Sequence, residues 1–223
     1  MVEISTSILS IKKEDCMEVF SKLEMAHTDY FHIDVMDGKF VEKNTVQKMI
    51  EYSGYIKNMS NIPLDVHLMV KDLPQFINTF GAFKPNIITF HLESIPRNKV
   101  KEIIRLIKEN NTRVGISIKP NTKLADLYEF LPFIHVVLIM CVEPGKGGQK
   151  MLEESITKIK ELKKYITENH IDIDIEVDGG INLENVQEVK DAGSNIIVAG
   201  TSIINSNNYK DTIKNLKGTA DNS

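Results

Sequence analysis

Eight short β-rich runs alternate with amphipathic helical segments from one end of the chain to the other, and few architectures can absorb that pattern. The strand-like runs are 4–9, 30–36, 63–69, 86–91, 113–118, 135–140, 172–178 and 195–199. Between and after them lie helix-like segments near 12–26, 45–58, 72–81, 97–110, 121–130, 152–169, 182–192 and 207–217. Pro74 suits the first turn of the third, where its missing N–H costs nothing. Most strand runs are continuously apolar, as strands covered by helices should be. A doubly wound open sheet could use the same elements, but it would scatter its polar strand ends along an edge. A barrel gathers them into a ring. The 223 residues are close to the ~250 typical of that architecture. The expectation is an α/β fold: a single-domain (β/α)8 TIM barrel over residues 1–217, with a frayed polar tail at 218–223.

Composition narrows the function classes. The formal net charge is −4 and no Lys/Arg block exceeds two adjacent residues, so neither a nucleic-acid groove nor a polybasic membrane patch is expected. Cys16 and Cys141 are far apart and lack CxxC spacing, which argues against a disulfide framework or a thiolate zinc site. There is no basic-then-apolar leader and no apolar run near the ~18 residues of a membrane span. A cytoplasmic protein is the expectation.

Chemistry in such barrels stands at the carboxyl ends of the strands. Three strand runs carry His32-Ile33-Asp34, Asp65-Val66-His67 and Glu176-Val177-Asp178. Side chains on a strand alternate faces, so His32 and Asp34 project the same way. Two His and two Asp gathered at one mouth make a divalent-metal site, with carboxylates left for proton transfer. Any one of these residues alone is more often a capping or hydrogen-bonding group. Four on three strands point to a site. Ser7, His91, Met36, Met69 and Met140 stand at the same ends, and the three Met residues could form an adaptable apolar collar. Asp37 could orient His32 or His67 from behind.

Glycine-rich segments follow strands six, seven and eight: Pro144-Gly145-Lys146-Gly147-Gly148-Gln149, Asp178-Gly179-Gly180 and Ala199-Gly200-Thr201. Glycine lets backbone N–H groups approach an anion, and the loops after strands seven and eight are the usual phosphate seat in these barrels. None is a Walker A loop or a dinucleotide fingerprint.

With these motifs in order, the chain resembles the ribulose-phosphate 3-epimerase family, which includes the similar D-allulose-6-phosphate 3-epimerases. The resemblance runs almost end to end through Ser7-Ile8-Leu9-Ser10, His32-Ile33-Asp34-Val35-Met36-Asp37-Gly38, Asp65-Val66-His67-Leu68-Met69-Val70, Met140-Cys141-Val142-Glu143-Pro144-Gly145, Gly147-Gly148-Gln149, Glu176-Val177-Asp178-Gly179-Gly180 and Val198-Ala199-Gly200-Thr201. It implies metal ligands at His32, Asp34, His67 and Asp178, and an acid/base pair at Asp34 and Asp178. Substrate contacts would come from Ser7, His67, Gly145, Gly147, Gly148, Gln149, Gly179, Gly180, Gly200 and Thr201. The implied cofactor is one divalent ion per chain: zinc or iron first, manganese or cobalt as alternatives. The implied partner is a ketose phosphate, and a homo-oligomer, dimer or hexamer, is expected. The chain departs from the usual pattern at Thr6, Glu42-Lys43, Lys119 and Lys146, which bears on substrate choice and loop behaviour.

The resemblance implies inversion of C3 of a ketose phosphate through an enediolate, one carboxylate removing a proton and the other returning one on the opposite face. Ribulose 5-phosphate to xylulose 5-phosphate is the expected reaction, with allulose 6-phosphate to fructose 6-phosphate the alternative. A non-catalytic sugar-phosphate-binding barrel is the rival from another class, although no ligand or acid/base residue is missing. A decarboxylase of the Asp-x-Lys-x-x-Asp type lacks its Lys here, and Cys141 is expected to be a bystander rather than a nucleophile.

Overall fold

The computed structural model describes residues 2–218, so most of the expected polar tail, 219–223, lies outside the described residues. Eight parallel strands close in chain order: β1 (Glu3–Ser7), β2 (Tyr30–Met36), β3 (Leu64–Met69), β4 (Ile87–His91), β5 (Arg113–Ile118), β6 (Val136–Met140), β7 (Asp174–Asp178) and β8 (Ile196–Ala199). β8 pairs with β1 to shut the seam, with Glu3 opposite Ile196 and Thr6 opposite Ala199. The expected TIM barrel is therefore the observed fold. Around it lie α1 (Cys16–Met25), α2 (Val46–Met59), α3 (Leu73–Gly81), α4 (Val100–Glu109), α5 (Glu154–Glu168), α6 (Val186–Asp191), α7 (Thr201–Ile204) and α8 (Tyr209–Lys217). Asp72 caps α3 by accepting from Gln75 N at 3.2 Å, and Pro74 occupies its first turn.

Alternation along β2 shows how the sequence divides its labour. Phe31, Ile33 and Val35 join the main apolar core, while His32 and Asp34 between them take the opposite face, inside the barrel. Phe31 packs edge-on against Phe20 of α1 at 5.7 Å, and Phe20 in turn against Tyr52 of α2 at 5.3 Å. Removing such a ring costs about 3–5 kcal/mol. Inside, Tyr30, Ile87, Val136 and Ile196 form a separate apolar cluster. Each is the first residue of its strand, so a layer from alternate strands plugs the amino-terminal end of the barrel. Polar groups are left to the other end.

Two elements differ from the sequence expectation. Segment 121–130 is not an α-helix: turns of 3₁₀ helix occupy Leu124–Asp126 and Leu131–Phe133. The buried apolar residues Leu124, Leu127 and Phe130 recur every third position, which is the 3₁₀ period. Backbone bonds follow suit, with Leu127 N on Leu124 O at 2.9 Å and Phe130 N on Leu127 O at 2.8 Å. Pro132 then blocks helical continuation. The second difference is α7, a short helix directly after β8, where the Ala199-Gly200-Thr201 segment predicts only a glycine turn. Among the described residues, no helix is long and apolar enough to cross a membrane.

Candidate active site

The carboxyl ends of the strands open into a cavity of about 550 Å³. Ser7, Asp34 and Asp178 line it from β1, β2 and β7, and Met36, Met69 and Met140 contribute its apolar wall. Gly145, Gly147, Gly148 and Gln149, with Gly179, Gly180, Gly200 and Thr201, complete the rim on the side of β6 to β8. His32 and His67 are fully buried and stand behind this wall, among the groups that meet at its floor.

That floor gathers the four residues expected to ligate a metal. One ligand atom from each of His32, Asp34, His67 and Asp178 falls within 4.8 Å of all the others. Asp34 Oδ1 lies 3.4 Å from His32 Nε2 and 3.4 Å from His67 Nδ1, while Asp178 Oδ2 is 3.9 Å from His67 Nδ1. Both of those ring nitrogens are buried and lack a hydrogen-bond partner. Buried polar atoms rarely stay unpaired, so orphaned lone pairs facing two carboxylates describe a seat for a cation. Two imidazoles and two carboxylates suit a borderline divalent ion.

Electrostatics separates the two cavity carboxylates. Burial would raise Asp34, but His32 and His67 hold it below the usual carboxylate range. Asp178 is pushed up to about 6 by burial and by the Asp34 carboxylate. Pairs of acids driven apart in this way can act as donor and acceptor at one site. Ser7 Oγ donates to Asp34 Oδ2 at 2.7 Å, leaving Oδ1 for the cluster.

The groups that hold the imidazoles are not those the sequence suggested. Asp37 orients neither histidine: its carboxylate accepts from Lys39 N, Phe40 N and Lys71 N, at 2.8, 2.9 and 2.8 Å, and so braces its own loop. His32 is held by Asp65, whose Oδ2 lies 2.6 Å from His32 Nδ1 and also accepts from Ser5 Oγ at 2.8 Å. Glu176 sits 3.7 Å from His32 Nδ1, and burial with Asp65 beside it keeps its carboxyl well above the ordinary range. Asp65 and Glu176 precede His67 and Asp178 by two residues, hence on the same strand faces one level deeper. The alternation that pointed to the candidate ligands points to this layer too. His67 is held through His91, whose Nε2 lies 3.0 Å from His67 Nε2. His91 in turn meets Glu93, which lies two residues past the end of β4. Burial drives His91 down to about 4, and bonds from His91 and Thr122 overcome burial to hold Glu93 at about 2.

Glycine shapes the opposite rim. A Cβ on Gly180 (φ +71°) would stand 2.3 Å from Met151 N and 2.7 Å from Gln149 O. A Cβ on Gly200 would meet Ser7 Cβ at 3.1 Å. The β7 loop thus meets the β6 loop as bare backbone, and the start of the β8 loop presses on Ser7 of β1. Gln149 Nε2 donates to the carbonyls of Glu143 and Lys146, at 2.7 and 2.8 Å, and ties the β6 loop into one piece. Lys43, from the β2 loop, and Lys146 line the cavity from exposed positions. Cys141 does not line it, and burial pushes its thiol up to about 12, which removes it as a nucleophile.

Comparison with known proteins places this geometry. The model of the ribulose-phosphate 3 epimerase family matches residues 3–204. Ribulose-phosphate 3-epimerase of Methanocaldococcus jannaschii is 36% identical over 99% of this chain and 92% of its own length. The Bacillus subtilis enzyme of that name is 34% identical, over 98% of this chain and 100% of its own, and the Escherichia coli enzyme 35%, over 96% and 94%. Among solved structures, 3-keto-L-gulonate-6-phosphate decarboxylase from Vibrio cholerae superposes with a TM-score of 0.72 at 14% identity, covering 97% of this chain and 95% of that one, a likeness of fold. A match of sequence along nearly the whole chain, on a barrel that brings its polar strand ends together, identifies an epimerase that belongs to the ribulose-phosphate 3-epimerase family.

Proposed function

We propose that this cavity inverts C3 of a ketose phosphate by two-base proton transfer through an enediolate, with D-ribulose 5-phosphate and D-xylulose 5-phosphate as its reactant pair. The observation that carries the reading is Asp34 and Asp178 facing one cavity from β2 and β7, their proton affinities driven apart. One carboxylate removes the C3 proton, and the other returns a proton on the opposite face. Each is base in one direction and acid in the other. The Ser7 hydroxyl fixes the Asp34 carboxylate during this exchange. Met36, Met69 and Met140 keep water from the intermediate. His67 serves the ligand cluster and the reacting end of the sugar. Backbone N–H groups of Gly145, Gly147, Gly148, Gly179, Gly180, Gly200 and Thr201, with Gln149, receive the phosphate. His32, Asp34, His67 and Asp178 would hold a divalent ion, zinc or iron first and manganese or cobalt as alternatives, which would supply electrophilic stabilisation of developing negative charge.

The names of the relatives support the pentose phosphate, and the orphaned nitrogens of His32 and His67 support the metal. The catalytic domain runs over residues 1–217, α8 closing it, and works in the cytoplasm as a homo-oligomer, dimer or hexamer, with no nucleic-acid or membrane partner. Turnover of ribulose 5-phosphate and allulose 6-phosphate on metal-loaded protein tests the substrate; a several-fold preference for the hexulose would replace the pentose and leave the C3 chemistry. Elemental analysis tests the cofactor. One ion per chain is expected, and full occupancy in His67→Ala would remove the metal assignment.

A further inference from the structure

His67 turns Nδ1 toward the ligand cluster, 3.4 Å from Asp34 Oδ1, and its other nitrogen away from it. That second nitrogen, Nε2, lies 3.0 Å from His91 Nε2, and His91 Nδ1 lies 3.1 Å from Glu93 Oε2. His67 and His91 are fully buried, so water cannot relax the pattern. An ionised carboxylate accepts and never donates, which places the shared proton of the outer pair on His91 Nδ1. A neutral His91 then has only a lone pair at Nε2. His67 Nε2 must donate to it, and the lone pair of a neutral His67 is left on Nδ1, where a metal ligand needs it. We propose that Glu93 is a positioning residue of this enzyme: through His91 it selects the tautomer of His67 that can ligate a metal. The inference rests on the metal reading of the preceding section.

Glu93 is itself held for the task. Its other oxygen, Oε1, accepts from Lys119 N at 2.8 Å and from Thr122 Oγ1, both in the loop after β5. Lys158 Nζ donates to carbonyls of the same loop, among them Thr122 O at 2.8 Å. The Phe40 ring stacks obliquely on His91, centroids 4.9 Å apart. The carboxylate and ring that polarise His67 are therefore fixed by β4, the β2 loop and the β5 loop, none of which contributes a residue to the ligand cluster. His32 reaches the same end by a shorter route, through Asp65 directly. Outer partners of this kind orient the ligand and raise its basicity.

Glu93→Gln tests the device with little change of shape. The glutamine amide can donate to His91 Nδ1, which reverses the chain and sets a proton on His67 Nδ1. Chelator competition should show zinc affinity lowered by about 10- to 100-fold. Long-range nitrogen–proton NMR on zinc-free unchanged protein, where no metal dictates the tautomer, should find the His91 proton on Nδ1 and the His67 proton on Nε2. In zinc-free Glu93→Gln the His91 proton should move to Nε2 and the His67 proton to Nδ1. Thr122→Ala, which removes a loop bond to Glu93 but not the His91 bond, should bind zinc within a few-fold of the unchanged protein. Unaltered zinc affinity in Glu93→Gln, an equal loss in Thr122→Ala, or a His91 proton on Nε2 in the unchanged protein would each overturn the proposal. Should Glu93→Gln fail to fold, the NMR result on the unchanged protein decides alone. Unchanged protein that takes up no zinc would instead overturn the metal reading, and this inference with it.

Discussion

On the side of the cavity built by β1 to β4, buried side chains hold one another; on the side built by β6, β7 and β8, closely packed glycine backbone does that work. The first side contains Ser5, Asp65 and His32 in one hydrogen-bonded row, and Glu93, His91 and His67 in another. The second contains Gly179, Gly180 and Gly200, whose neighbours leave no room for a Cβ without movement. The difference follows from what each side must present. On the proposed function, ligation and proton transfer need lone pairs aimed to within a fraction of an ångström. His32, Asp34 and His67 are each locked by a partner, Asp65, Ser7 and His91, whereas Asp178 stands on the backbone side. The phosphate of the proposed substrate would be received by N–H groups, which any backbone supplies if side chains stay away. Damage should therefore differ in kind: loss of charge or acceptor on one side, loss of shape on the other.

The largest effect should come from Asp178→Asn, which keeps the shape of the β7 end and removes its base. Product formation should fall by at least ~100-fold. Survival of both net epimerisation and exchange of the C3 proton with solvent would remove Asp178 from the two-base scheme. Asp65→Asn comes next and probes the side-chain side alone. His32 Nδ1 keeps an acceptor but loses a charged one, so metal affinity should drop by about 10-fold or more, measured by chelator competition. Affinity unchanged there, with a loss in Glu93→Gln, would mean that the two imidazoles are not held by equivalent means.

Gly180→Ala addresses the backbone side. A positive φ costs about 1–2 kcal/mol for a non-glycine residue, before the contact with Met151 N is counted. At roughly 2–4 °C per kcal/mol, Tm should fall by about 2–8 °C, with KM for the sugar phosphate raised and metal affinity retained. Loss of metal in this variant would break the division between the two sides. Lys146→Ala should do least. The residue is exposed, and a charge contact there is worth up to about 1 kcal/mol, so KM for both sugar phosphates should rise by under about 5-fold with their ratio unchanged.

Local pattern alone determined a good deal of this molecule. The alternation of apolar runs specified strand and helix repeatedly around the barrel, because which face a residue takes depends only on its neighbours along the chain. The same rule put His32 beside Asp34 and drew attention to His67 and Asp178, all of which the fold brings within 4.8 Å. Tertiary structure decided the rest, since the height of one strand against the next is a property of barrel closure and not of any segment. It set Asp65 under His32 rather than Asp37 beside it, and it carried Glu93, a residue of no evident pattern, to the far end of a His91–His67 pair. It also turned 121–130 from an expected α-helix into 3₁₀ turns, because a three-residue apolar spacing gains its burial only against a surface already in place.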